Sequence, residues 1–264
     1  MNGQNTLRPL AMVTGASSGI GAALAKLLAR QGYDLILTAR REAELNGLAC
    51  ELKSAGAETV DVIAQDLEPA GAAASLIGEV ERRGLAPDLL INNAGYGLVG
   101  PAAELEPSAQ RAMINLNVTA LTDLSVHYAG LMGDRGQGGI INIASVASTL
   151  PGPNMAVYYA TKAYILNFTE ALAHELGPKG VTVTVVLPGV TKTGFHARAG
   201  MEQSLLMRLS RPMSPDAVAR MALEGFRKKR RIVVPGLFNK FAVLCTRFVP
   251  KFILLPVTGR LHSN

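Results

Sequence analysis

Short apolar runs alternate with longer amphipathic stretches along most of the chain. Runs at 10–14 (Leu-Ala-Met-Val-Thr), 34–39, 59–65, 88–92, 139–145, 180–187 and 231–235 read as strands. Between them, the spacing of apolar positions predicts helices over 19–31, 41–55, 70–83, 107–133, 155–177 and 215–228. Several strands are continuous Val/Ile/Leu runs, the pattern of a sheet covered on both faces. Strands alternating with helices predict βαβ units and a parallel sheet. Right-handed crossovers then give an α/β, doubly wound, seven-stranded parallel sheet with helices on both faces and a ligand crevice at the carboxyl ends of its strands. There is no internal repeat and no low-complexity linker, so a single domain over 8–235 is expected, followed by a helical tail over 236–264.

Composition narrows the class. Of 264 residues, 48% are hydrophobic and 17% charged, enough for a large core. Cys50 and Cys245 are the only cysteines, which is no disulfide framework and fits a reducing, cytoplasmic setting. Four scattered histidines and no Cys/His cluster argue against a structural zinc site, and no metal is expected. The first residues are polar up to Leu7 and lack a basic-then-apolar leader pattern. The net charge of +6 is unevenly placed. Residues 1–225 hold 17 Lys/Arg and 20 Asp/Glu, whereas residues 226–264 hold 9 Lys/Arg and no acid. Basicity therefore belongs to the tail.

Two constellations carry candidate chemistry. Gly15, Gly19 and Gly21, in Thr14-Gly15-Ala16-Ser17-Ser18-Gly19-Ile20-Gly21, lie where the first strand turns into a helix. Glycines there let the backbone approach a pyrophosphate, whose charge suits a helix N-terminus. An ordinary tight turn is the bland alternative. The second strand ends Thr38-Ala39-Arg40-Arg41. An NAD site usually places an acid near this point, and here two guanidiniums stand instead. They would bind a 2′-phosphate through charge-assisted bonds, so NADP(H) is the expected cofactor, with Arg40 the main contact and Arg41 a second. The alternative is that both arginines are solvated starters of the next helix.

The other constellation is Ser145, at the end of an apolar strand, with Tyr158 and Lys162 four residues apart on one face of the following helix. A hydroxyl, a phenol and an ammonium so placed can polarise a carbonyl and pass it a proton. A nearby ammonium and a cationic nicotinamide both favour phenolate, so the tyrosine pKa, about 10 in its reference state, is expected to fall. Tyr158 is then the general acid in reduction and the base in oxidation, and Ser145 stabilises charge on the substrate oxygen.

These motifs occur together and in order: Thr14-Gly15-x-x-x-Gly19-x-Gly21, Asp66, Asn92-Asn93-Ala94-Gly95, Asn117, Ser145, Tyr158-x-x-x-Lys162 and Pro188-Gly189. In this the chain resembles the short-chain dehydrogenase/reductase family over about 8–235, which implies a Rossmann-type fold. By that resemblance, Ser17, Ser18 and Ile20 join the glycines at the cofactor. Asp66 receives the adenine amino group, with Leu67 beside it, although a helix cap would also use Asp. Asn93, Ala94 and Gly95 line the adenosine ribose and brace the sheet. Pro188, Gly189 and Val190 meet the nicotinamide, with Thr193 near its carboxamide or phosphate. Lys162 holds the nicotinamide ribose, and Asn117 joins the catalytic set through a water relay, with Asn115 as the competing assignment. Ser18 stands where some NADPH-preferring relatives carry Lys or Arg, and Ala144 where a second serine is common. Adjacent Tyr159 reads as packing.

The residues 194–213, rich in Met and Leu, occupy the place where this family puts a substrate lid. The tail begins with Arg227-Lys228-Lys229-Arg230-Arg231 and continues with Phe238, Phe241, Phe248 and Phe252 among Lys240, Arg247 and Lys251. It contains no charge-free stretch near the ~20 residues that span a bilayer. Basic, aromatic-rich segments can lie on an anionic membrane; cover of the domain or of a subunit interface is the competing reading. No nucleic-acid recognition motif accompanies the basic cluster. The expectation is an NADPH-dependent reductase of a hydrophobic ketone, such as a 3-oxoacyl, steroid-like or aromatic one. The alternatives are an alcohol dehydrogenase working oxidatively and a non-catalytic NADP(H)-binding sensor or membrane-docked scaffold. The resemblance also implies a homodimer or homotetramer through the helices at 107–133 and 155–177.

Overall fold

The structure, a computed structural model, describes residues 8–192, 212–246 and 248–262. Seven parallel strands form one sheet: β1 (Leu10–Thr14), β2 (Asp34–Ala39), β3 (Val60–Ala64), β4 (Leu89–Asn92), β5 (Gly138–Ile143), β6 (Val181–Val186) and β7 (Ile232–Val233). Their order is β3-β2-β1-β4-β5-β6-β7. The chain moves outward in one direction from β1 to β3, then returns to the centre at β4 and moves outward the other way. The reversal leaves a crevice between β1 and β4, the topological switch point.

The sheet alternates sides with period two, and each face has its own helices. Ala11, Val13, Leu35, Leu37 and Ile91 point to one face, where α1 (Gly19–Arg30), α2 (Glu42–Ala55) and α7 (Pro215–Arg227) pack. Met12, Ile36, Leu90 and Ile140 point to the other, under α3 (Ala72–Arg82), α4 (Pro107–Ile114), α5 (Leu121–Arg135) and α6 (Ala156–Leu176). This two-sided burial is why the strands read as unbroken apolar runs. Proline at the first turn opens α4 and α7, where a missing N–H costs nothing. Ser214 caps α7 by accepting from Ala217 N at 3.2 Å.

The expected elements are present, with differences that have local causes. The helix expected over 107–133 is α4 and α5 joined by a π-helical turn, Asn115–Ala120. Strand β5 stops at Ile143, because Ser145 leaves the ladder to start the short 3₁₀ turn Val146–Thr149. Strand β7 shrinks to two residues, closed off before Pro235, which has no N–H to give. Beyond it, α8 (Leu237–Cys245) and α9 (Lys251–His262) form the tail. Among the described residues, no helix is long and apolar enough to cross a membrane.

Within the apolar core lies one polar chain. Asn92 Nδ2 donates to Ser125 Oγ and to Asn142 Oδ1, both at 2.9 Å. Asn142 Nδ2 donates to Thr169 Oγ1 at 3.0 Å, and Thr169 donates to Ile165 O at 2.6 Å. The chain ties β4 and β5 to α5 and α6, the elements that carry the second constellation. Removing one member leaves buried partners without their hydrogen bonds. Asn142→Ala should cost about 1–3 kcal/mol of unfolding free energy in urea titrations. A loss under about 0.5 kcal/mol, the range of ordinary surface substitutions, would show that the network does not hold the layers together.

Candidate active site

A cavity of about 630 Å³ opens at the carboxyl ends of the strands. At one end are the glycine turn and Arg40 and Arg41; at the other are Ser145, Tyr158 and Lys162. The two constellations, far apart in sequence, are thus the two ends of one site.

At the glycine end, Gly15 and Gly19 take φ values of +64° and +60°, a conformation that side chains disfavour. Gly21 does not line the cavity. A Cβ there would come within 2.5 Å of Asn93 Nδ2 and 2.6 Å of Gly15 O, so this glycine serves the close packing of α1 on the turn. Ser18 is the N-cap of α1, yet its side chain makes no cap hydrogen bond and the first turn holds no acid. The first N–H groups of α1 therefore face the cavity ready for an anion. The turn is pinned across the switch point. Thr14 Oγ1 accepts from Asn93 N at 2.9 Å and Ala94 N at 3.0 Å, and Asn93 Nδ2 donates back to Thr14 O at 2.9 Å.

The two arginines differ more than their sequence position suggests. Arg40 Nη1 bonds Glu68 Oε1 at 3.0 Å and lies 4.0 Å from Asp66 Oδ2. Arg41 Nη2 donates to Ser17 Oγ and Ser18 Oγ, each at 3.0 Å, while its Nη1 pairs with Glu44 at 3.2 Å. Arg41, expected in second place, is the guanidinium held on the glycine turn. Asp66 and Leu67 both line the cavity. Asp66 Oδ1 also accepts from Glu68 N at 3.0 Å, the local turn bond expected of a capping Asp.

At the other end, α6 presents Tyr158 and Lys162 to the cavity, both buried. Ser145 hydrogen-bonds the Tyr158 hydroxyl, and its Oγ accepts from Ala147 N at 3.1 Å, which fixes its rotamer. Lys162 Nζ donates to Ile143 O at 3.0 Å and stands 5.8 Å from the centre of the Tyr158 ring. Burial pushes the Tyr158 phenol up to about 12, partly offset by the Ser145 hydrogen bond. Burial brings Lys162 down to about 8. The lowered tyrosine pKa is expected beside a cationic nicotinamide; without one, burial sets the direction. In the protein alone, desolvation outweighs the Ser145 hydrogen bond, so the Tyr158 phenol stays protonated, as the acid of a reduction must be.

Asn117 sits in the π-helical turn and is 1% exposed. Its Oδ1 accepts from Tyr96 N at 3.1 Å; its Nδ2 donates to Tyr96 O at 2.9 Å and to Thr161 Oγ1 at 3.2 Å. It does not line the cavity but lies beneath it, where a Cβ on Gly95 would meet both Asn117 Oδ1 at 2.9 Å and Lys162 Nζ at 3.5 Å. Asn115 is half-buried. The geometry favours Asn117 over Asn115 as the residue near Lys162. Ala94, Gly95, Pro188, Gly189 and Val190 line the cavity. Val146 N donates to Pro188 O at 3.0 Å, tying the segment after β6 to the Ser145 turn. Thr193 and nearly all of the loop expected over 194–213 lie outside the described residues. Its stems are adjacent, with Lys192 N donating to Met213 O at 2.9 Å.

Sequence reasoning missed Tyr96, Leu116, Met155 and Tyr159 as cavity walls. Tyr96 directly follows the Asn93-Ala94-Gly95 motif and was within reach. Tyr159 packs its ring edge-on to Tyr158, centroids 6.0 Å apart, and it faces the cavity as well as the core. No metal-holding cluster of His, Cys, Asp or Glu occurs among the described residues.

A doubly wound sheet with an anion-ready helix start at its switch point and a Ser/Tyr/Lys group beside it defines a nucleotide-dependent redox enzyme. The model for short chain dehydrogenase matches residues 9–204, and the chain belongs to that family. It is 34% identical over 218 residues to sulfoacetaldehyde reductase 2 of Chromohalobacter salexigens, covering 80% of this chain and 86% of that one. Among solved structures, a short-chain dehydrogenase from Sphingobium yanoikuyae in complex with NADPH superposes with a TM-score of 0.81 at 35% identity, over 90% of this chain and 93% of that one. The bulky-bulky ketone specific alcohol dehydrogenase of Comamonas testosteroni gives a TM-score of 0.77 at 31% identity, over 93% and 96% of the chains.

The buried lysine has a testable signature. Its folded pKa is below its unfolded one, so between about 8 and 10.5 the unfolded chain binds the extra proton. Stability therefore rises with pH in that window, and the penalty is fully present below it. Relative to Lys162→Met, the wild-type protein should gain about 2 kcal/mol of unfolding free energy between pH 7 and 10. Parallel urea titrations at the two pH values would show a constant difference if Lys162 were not desolvated.

Proposed function

We propose that the protein is an NADPH-dependent carbonyl reductase acting on a bulky, largely apolar ketone, with Tyr158 as the proton donor. The observation that carries this reading is the place of the Tyr158 hydroxyl: buried, bonded to Ser145 and facing the cavity. The Chromohalobacter relative is named a reductase and the Comamonas one is named for bulky ketones, which supports both direction and substrate class. So does the wall of Tyr96, Leu116, Met155 and Tyr159, which offers apolar and aromatic surface.

The residues fit a dinucleotide. Gly15 and Gly19 in positive φ, the uncapped start of α1 and the Arg41/Ser17/Ser18 cluster suit a pyrophosphate and a 2′-phosphate. Arg40 is paired with Glu68 beside Asp66, so its part is to offset these acids beside a phosphate as well as to bind it. The NADPH complex of the Sphingobium structure agrees with this choice. Pro188, Gly189, Val190 and Lys162 would hold the nicotinamide end, with Thr193 joining them. What a bound dihydronicotinamide supplies is the hydride delivered to the carbonyl carbon.

The chain's own residues handle the oxygen. Ser145 and Tyr158 donate to the carbonyl oxygen, polarising it and positioning the carbon. As the C=O π pair becomes an alkoxide lone pair, the Tyr158 proton moves to it. The resulting phenolate is stabilised by Lys162, and the proton is restored through Lys162 and a water held by Asn117. The catalytic unit spans 8–235. Oligomer formation is assigned to α4–α5 and α6, where Val126, Leu131 and Tyr164 are exposed.

Two measurements test this. Tyr158→Phe should lower kcat by about 10²–10⁴-fold while NADPH binding, followed by fluorescence, is unchanged. Retained turnover would sink the assignment. For the cofactor, Arg41→Ala and Arg40→Asp should each reduce the NADPH-to-NADH ratio of kcat/KM, by about tenfold to a hundredfold for a lost charge-assisted phosphate bond. A ratio that does not move in either variant removes the 2′-phosphate role from that arginine.

A further inference from the structure

Helices α8 and α9 leave large apolar side chains exposed. Two of their uncharged polar side chains, Asn239 and Thr258, face the domain. Asn239 Nδ2 donates to Pro235 O at 2.7 Å, and the same amide packs so closely on Gly189 that a Cβ there would overlap it. Thr258 is buried, with Oγ1 directed to Pro151 O at 3.4 Å and bonded to Leu254 O. Helix α8 also packs on the Val146–Thr149 turn that follows Ser145. The inner side of the tail is thus fixed to the segments that build the substrate end of the cavity.

The outer side is apolar. Leu237, Phe241 and Leu244, at i, i+4 and i+7, share one helix face and are 83%, 65% and 51% exposed. Phe238, Phe248 and Phe252 adjoin them, each at least 75% exposed. Such a row on one element exceeds the scattered apolar surface of an ordinary monomer. Its charge has one sign. After Glu224 the sequence contains no further acid, and Lys240 and Lys251 stand exposed among the aromatics. The run Arg227–Arg231 is not part of this face, since it precedes β7 while α8 departs from the other end of that strand.

We propose that α8 and α9 dock on an anionic phospholipid surface, lying in the headgroup region with the mouth of the cavity beside it. Apolar side chains enter the acyl boundary and the lysines meet the lipid phosphates. A helix of nine residues and one interrupted by Pro256 lie in the interface rather than span it. A second copy of this chain fits less well, because an isologous contact would set the same basic, acid-free face against itself. The docking does not depend on the reductase reading. Where that reading holds, the placement lets a lipophilic ketone pass from the membrane to the cavity.

The test is co-sedimentation of the full-length protein with phosphatidylcholine vesicles, with and without phosphatidylglycerol. Binding should require phosphatidylglycerol and weaken with salt. Lys240→Ala should lower the partition coefficient about fivefold, the effect of one cation near an anionic surface. Phe241→Ser/Leu244→Ser should lower it by about tenfold or more, with turnover of a water-soluble ketone unchanged as the control for folding. Tyr158→Phe should bind vesicles like the wild type, which separates this inference from the catalytic one. No binding to phosphatidylglycerol vesicles overturns the proposal, as does binding that the Phe241/Leu244 variant retains. A wild-type dimer that this variant converts to monomer in light scattering, without vesicle binding by either, identifies the second copy as the occupant instead.

Discussion

The reciprocal bonding of Thr14 and Asn93 is the constraint on which the site rests. At the switch point of a doubly wound sheet the connections leaving the paired strands β1 and β4 must part toward opposite faces. That parting makes the crevice, and it also leaves the strand ends with unpaired backbone groups. Thr14 Oγ1 takes two of them, the N–H groups of Asn93 and Ala94, and the Asn93 amide returns a bond to Thr14 O. Buried polar groups without partners cost more than most contacts gain, so this closure is close to obligatory. It also sets the height of the glycine turn over the sheet. Gly21 exists to let α1 reach that height, and Gly15 to let the chain turn there.

The opposite end of the cavity depends on a cost accepted for chemistry. Tyr158 and Lys162 are both buried, and burial drives each toward its neutral form. For a phenol that is favourable to function, since the neutral form is the acid. For the lysine it is not, since the ammonium is the form that would steady a phenolate. The bond from Lys162 Nζ to Ile143 O supplies part of the compensation. It also places the ammonium at the end of β5, two residues before Ser145. The same backbone segment therefore orients the proton donor's neighbour and the cation below it, which is why Ser145 must leave the strand.

Most of the architecture was legible because both faces of the sheet are covered. Unbroken runs such as Val181–Val186 admit few other readings, and the motifs fall at strand ends where the crevice must be. What was not legible depended on side-chain competition. Arg40 and Arg41 are adjacent and identical in type; only the structure shows Glu68 claiming the first and the serines Ser17 and Ser18 claiming the second. The upward shift of Tyr158 required knowing how deeply it is buried, because desolvation and the Ser145 hydrogen bond act in opposite senses. Gly21 read as a cradle glycine, yet its space is filled by Asn93 rather than by the cavity. The π-helical turn around Asn117 leaves no mark on apolar spacing, since one widened turn shifts the pattern by a single residue.

The two ends of the site are also built differently. The nucleotide end is made of strand termini and the start of α1, elements fixed by the sheet. The substrate end is made of segments that leave the sheet, the Ser145 turn, the 150–155 stretch and the residues after Pro188. Among the features that hold these segments are Val146 N on Pro188 O, Asn239 against Gly189, and Thr258 toward Pro151. The last two come from the tail. The tail therefore packs behind the segments around Tyr158 without lining the cavity itself. A family fold with a constant chemical centre can change its substrate by changing this clamp, without altering Ser145, Tyr158 or Lys162.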